Sequence, residues 1–164
     1  MVIDKNIIEE IKQRLNEYAH KAYADKLSDK QWTHDIKLII GELGLKNNQE
    51  VCASGFPDSF DNEWLYDLIW YENNEQGFLK NISLAMESEW NTKDLNVKYD
   101  FEKLIQAKAD LRLMIFQDNV ESNFKTMIKG IESYKYSSIG DKYLLAGLDW
   151  QKHEFIFLEY EKNK

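Results

Sequence analysis

The chain has 164 residues, 43% of them hydrophobic and 30% charged, with a formal net charge of -8. That length and mixture suit one folded domain over residues 1–164 and exclude a disordered chain. The acidic balance excludes coating of nucleic acid by overall charge, since phosphate binding needs a cationic surface, but it leaves room for a local basic groove.

Met1–Lys5 lacks the basic and apolar blocks of a signal peptide. No apolar run approaches the roughly 20 residues of a membrane span. The expectation is a cytoplasmic protein with no membrane partner. The single cysteine, Cys52, excludes an internal disulfide and a zinc site built on several thiolates. Its strand context predicts a buried, inert thiol.

Ile7, Ile8, Ile11, Leu15, Tyr18, Ala19 and Ala22 recur at helical spacing and predict a first helix over Asn6–Tyr23. Ser28 followed by Gln31 has the form of a capping box. A second helix then carries Trp32, Ile36, Ile39, Ile40 and Leu43, with Gly44 as its stop. Val51–Ser54 predicts a short strand, and the stretch holding Pro57 and Asp58 predicts a loop. Glu63–Tyr71, a turn at Glu72–Gly77 and Phe78–Trp90 predict a hairpin.

Phe101, Leu104, Ile105 and Lys108 share a face of a third helix over Val97–Ala109. Leu111–Phe116 is an apolar run that predicts a buried strand. Phe124, Met127, Ile128 and Ile131 mark a fourth helix. Lys142–Trp150 and Glu154–Tyr160 predict the last two strands. The order α, α, β, β, β, α, β, α, β, β, with strand–helix–strand through the third helix, predicts an α/β fold. Its mixed central sheet is flanked by helices on both faces.

Asp67 is a carboxylate inside an apolar strand pattern, with Leu65 and Ile69 as its expected same-face neighbours. Without a partner it would cost several kcal/mol there, on the order of a desolvated polar group. Strand alternation puts Glu87 and Glu89 of "SLAMESEW" on one face. Glu87 and Asp67 lie at similar distances from the hairpin turn, so they should meet across the strands. Either these acids line a wetted strand face, or the oxygen-rich trio holds Mg²⁺ or Mn²⁺. A metal so placed can activate water and stabilise charge on a phosphate.

His20, His34 and His153 show no ligand spacing, and no glycine-rich phosphate loop is present. Trp90, beside Glu89, reads as core or as a stacking surface for a base. Glu42 reads as a surface carboxylate or an extra acid at the site.

Taken together, "EWLYDLIWY", "LAMESEW" and "YDFEKLIQAKADLRLMIF" resemble the restriction-endonuclease-like PD-(D/E)XK nuclease superfamily, in a divergent bacterial branch. The resemblance covers roughly residues 31–117. It implies a core of helix, three meandering strands, helix and strand. Asp67 then matches the second-strand acid and Glu87 the acid of the third-strand element. Glu89 stands where that element has its lysine, a departure from the pattern. Some members carry the lysine on the following helix, which makes Lys103 the candidate and Lys108 the reserve. Asp58, after Pro57, is an alternative to Asp67. The resemblance implies Mg²⁺ or Mn²⁺ on Asp67 and Glu87, with the Ser88 carbonyl, and Glu89 on a second ion or on the attacking water. Lys103 would orient that water or stabilise the phosphate. It also implies a nucleic-acid substrate, and a homodimer where two strands are cut.

Two functions follow. One is a metal-dependent nuclease, supported by the basic stretch Lys93, Lys98, Lys103, Lys108 and Arg112. The other is an inactive nuclease-fold protein that binds a protein partner, with Trp90 and Tyr99 at its interface. Its motive is the acidic charge and the absent third-strand lysine.

Overall fold

The computed structural model describes residues 3–56, 64–91 and 94–163. Four helices, α1 (Lys5–Asp25), α2 (Asp29–Lys46), α3 (Asp94–Leu104) and α4 (Val120–Ser133), surround six strands. These are β1 (Glu50–Cys52), β2 (Leu68–Asn73), β3 (Leu79–Glu89), β4 (Leu111–Gln117), β5 (Lys142–Asp149) and β6 (Glu154–Glu161). The strands lie in one sheet in chain order, β1-β2-β3-β4-β5-β6. β3, β4 and β5 are parallel neighbours, and the outer pairings are antiparallel. The fold is therefore α/β with a mixed sheet, in the element order the sequence predicts. None of the helices, among the described residues, is long and apolar enough to cross a membrane.

Parallel neighbours need crossovers, and α3 and α4 supply them. Alternation along the central strands then divides the core in two. Leu84, Met86, Leu113, Ile115, Leu144 and Ala146 face α1 and α2. Ala85, Met114, Phe116 and Leu145 face Phe101 and Leu104 of α3 and Phe124 and Met127 of α4. Both sides of β4 are covered, which is why its sequence is an apolar run apart from Arg112 and the terminal Gln117. Both of the first two helices are capped, the second by Ser28 as the sequence predicts. Asp4 accepts from Ile7 N at 3.0 Å, and Ser28 accepts from Gln31 N at 3.4 Å.

Boundaries differ from the sequence reading at α2, α3 and β2 in ways that bear on the site. α2 runs through Gly44 to Lys46, because Gly44 is a contact point and not a stop. The Trp70 indole lies against it and donates to the Ile40 carbonyl at 3.0 Å. A Cβ on Gly44 would stand 2.6 Å from Trp70 Nε1. Alanine normally stabilises a helix interior relative to glycine by about 1 kcal/mol. Here Gly44→Ala is expected instead to destabilise by about 1–3 kcal/mol through overpacking, read as the midpoint shift in a urea melt.

α3 ends at Leu104 rather than Ala109. Its last carbonyls are closed by tighter turns, Gln106 N to Lys103 O at 3.2 Å and Ala107 N to Leu104 O at 3.0 Å. β2 begins at Leu68 rather than Glu63. Leu65 adopts a left-handed backbone (φ 69°) that interrupts an extended strand, and its side chain is 72% exposed. Leu65 is thus no core neighbour of Asp67, which stands at the mouth of the strand.

Candidate functional site

The acids gather at the carboxyl end of β3, where pairing with β2 stops at Met86 and pairing with β4 continues to Glu89. Ligands of open α/β sheets bind outside the carboxyl ends of strands. β3 is an inner strand of the sheet, so the wetted-edge reading of Glu87 does not hold. Glu87 is 2% exposed. Its register partner is Met114, and with Ala85 it shares the face covered by α3.

The hairpin register pairs Leu68 with Met86, so Asp67 comes level with Glu87. Asp67 Oδ2 accepts from both the backbone N–H and the hydroxyl of Ser88, each at 2.8 Å. Its other oxygen, Oδ1, lies 3.6 Å from Lys37 Nζ. Lys37 rises from α2, is buried, and donates to Ser54 Oγ at 3.2 Å. Asp67 is therefore fixed from two sides, by β3 and by α2. Nothing in the sequence distinguished Lys37 from an ordinary helix lysine. Its position three residues before Ile40 on a buried stripe was the available signal.

Lys103, the residue chosen from α3, does reach the site. Its Nζ stands 2.7 Å from Glu87 Oε1 and 3.9 Å from Asp100 Oδ1. Lys108 does not, because α3 has ended before it and its side chain is exposed. Glu89 accepts from Asn91 N at 2.7 Å and shares a hydrogen bond with Asp100. Asp100 was missed by the sequence reading. It lies one helical turn before Lys103, so the two must share a side of α3.

The electrostatics follow from this crowding. Burial pushes the Glu87 carboxyl up to about 8, against the pull of Lys103, and the charges of Asp67 and Asp100 add to the rise. Burial also raises Asp100, to about 6, helped by its hydrogen bond with Glu89. For Lys103, burial works to lower the ammonium's pKa, but the contact with Glu87 prevails and holds it above the ordinary lysine value. Burial and the Glu87 charge also raise the Tyr66 phenol.

Other expectations are corrected. Trp90 is buried among Trp32 and Phe155, so it offers no stacking surface. Tyr99 is 67% exposed on α3. Glu42 is a surface carboxylate. Arg112 is a buried core residue and adds nothing to a basic surface. Lys98 is exposed and pairs with Glu102 at 3.4 Å. Asp58 and Lys93 lie outside the described residues. Cys52 is a buried thiol, as expected.

Among the described residues, no three of His, Cys, Asp and Glu are grouped so as to hold a metal ion. The donor chemistry nonetheless fits a hard cation. All the donors are oxygens, and buried Glu87 Oε1 has the Lys103 ammonium beside it but no aligned hydrogen bond. The cation now beside Glu87 is the lysine itself. Compared with family models, with curated proteins and with solved structures, the chain matches none.

Proposed function

We propose that the chain is a metal-dependent phosphodiesterase that cleaves nucleic acid, built on a restriction-endonuclease-like core. The observation that carries this reading is the meeting of Asp67, Glu87 and Lys103 at the carboxyl end of β3. They come from three separate elements, in the order in which that superfamily places two acids and a lysine. The element order from α2 to β4 supports the same reading.

Asp67 and Glu87 would hold Mg²⁺ or Mn²⁺, which supplies charge stabilisation for the phosphate and a lowered pKa for bound water. Lys37 and Ser88 hold Asp67 in one orientation, so its free lone pairs are aimed before substrate arrives. Lys103 is 38% exposed at its side chain and can present its ammonium to a phosphate oxygen. Asp100, hydrogen-bonded to Glu89, can carry a proton next to the reacting centre.

The test is cleavage of labelled single- and double-stranded DNA and RNA with Mg²⁺ or Mn²⁺. Asp67→Ala and Glu87→Ala are each expected to lower the rate by at least about a hundredfold, the usual loss when a preorganised electrostatic group goes. Wild-type rates in both variants would end the proposal. The second reading, an inactive descendant that binds a protein partner, draws on the Glu87–Lys103 ion pair, because the lysine neutralises the acid without any metal. It expects no cleavage of any of the four substrates.

A further inference from the structure

Four carboxylates, Asp67, Glu87, Glu89 and Asp100, converge on the end of β3, and two ammonium groups, Lys37 and Lys103, face them. The carboxylates outnumber the ammonium groups that face them. The two lysines are held differently. Lys37 is buried in the layer between α2 and the sheet, with Ser54 and Asp67 as partners. Lys103 reaches in from solvent, with a side chain 38% exposed, to a carboxylate that is 2% exposed.

Among the described residues, its ammonium is the cation that pairs with Glu87, and the bond is not an aligned one. Asp100 Oδ1 lies 3.9 Å from the same ammonium. A side chain on the rim of the site can leave it by rotamer change, at the modest entropic gain that frees a long lysine. A buried carboxylate cannot follow it, and would need another cation in its place.

We propose that Lys103 is a tethered counter-ion that occupies the place of a divalent cation, and that Asp100 is a further carboxylate ligand of that cation once the lysine swings out. This rests on the cation-dependent reading above and deepens it. The cation and the ammonium exclude each other at Glu87, so the chain alternates between a lysine-filled and a metal-filled form. The displaced ammonium is then available to a phosphate of the substrate.

The test is calorimetric titration of the full chain with Mg²⁺ and Mn²⁺, in buffer alkaline enough to ionise Glu87 in every variant. Lys103→Met is expected to bind Mg²⁺ at least about fivefold more tightly than wild type, the lower end of ordinary coupling between two sites. Lys103→Arg, which keeps the charge, should bind no more tightly than wild type. Lys103→Gln is the substitute should the methionine variant fail to fold. Asp100→Asn, introduced with Lys103→Met, should reverse most of the gain. Equal or weaker binding by Lys103→Met and Lys103→Gln overturns the proposal and leaves the Asp67 and Glu87 cation site standing. An Asp100→Asn change that leaves the gain intact overturns the role of Asp100. Absence of binding heat in every variant overturns both the proposal and the cation-dependent reading.

Discussion

Stability in metal-free buffer is expected to fall as the pH rises from about 4.5 to about 8, the opposite of the usual carboxylate trend. Glu87 is the cause. Its ordinary pKa is 4.5, and burial lifts it to about 8 in the folded chain. Between those values the native state holds a proton that the unfolded state has released. The contribution is therefore complete below the unfolded value and is lost as pH rises through the folded one. While the two states differ by one proton, the slope is up to about 1.4 kcal/mol per pH unit. Asp100, raised to about 6 from 3.8, adds a smaller change of the same sign at the acid end. Glu87→Gln keeps the shape and removes the titration. Its urea midpoint should vary much less over this range and exceed the wild-type midpoint at the alkaline end. Parallel profiles for the two proteins would show that Glu87 is ionised throughout, with Lys103 as full compensation.

Arg112→Met is expected to cost about 3–5 kcal/mol in chemical denaturation, the usual penalty for leaving one half of a buried ion pair. Arg112 is 2% exposed in β4. Its Nε and Nη2 both donate to the Ala107 carbonyl, at 3.0 and 2.6 Å. Nη2 also reaches Asp141 Oδ1 at 3.1 Å, and the guanidinium lies 5.1 Å from the centre of the Tyr143 ring. Ala107 follows the end of α3, so this fork anchors the segment that carries Asp100 and Lys103. Lysine has no fork and cannot reproduce two parallel donors on one carbonyl. Arg112→Lys should thus recover only part of the loss. A lysine variant as stable as wild type would mean that the positive charge alone matters.

Much of the fold was legible because its signals are local. The period of Ile11, Leu15, Ala19 and Ala22 in α1, the Ser28 cap of α2 and the apolar run of β4 each reflect one element burying one surface. The hairpin was legible as well, and with it the approach of Asp67 to Glu87, since a short turn settles which residues can face each other. Errors fell where a distant group overrides a local preference. Gly44 looked like a helix stop, but it makes room for Trp70, 26 positions later in the chain. The end of α3 was drawn five residues late because the capture of Ala107 by Arg112 leaves no trace in helical periodicity.

The candidate site divides in the same way. Sequence by itself pointed to the three acids, the common strand face of Glu87 and Glu89, and a lysine in the following helix, because alternation and the hairpin restrict those positions. Only the tertiary structure decided between Lys103 and Lys108, since that turns on where α3 stops. It also brought in Lys37 and Asp100, whose roles depend on helices packing over the strand ends from opposite faces. Burial of Glu87 was likewise a tertiary matter: β3 became an inner strand covered by α3, and a carboxylate that reads as wet in sequence lost its water there.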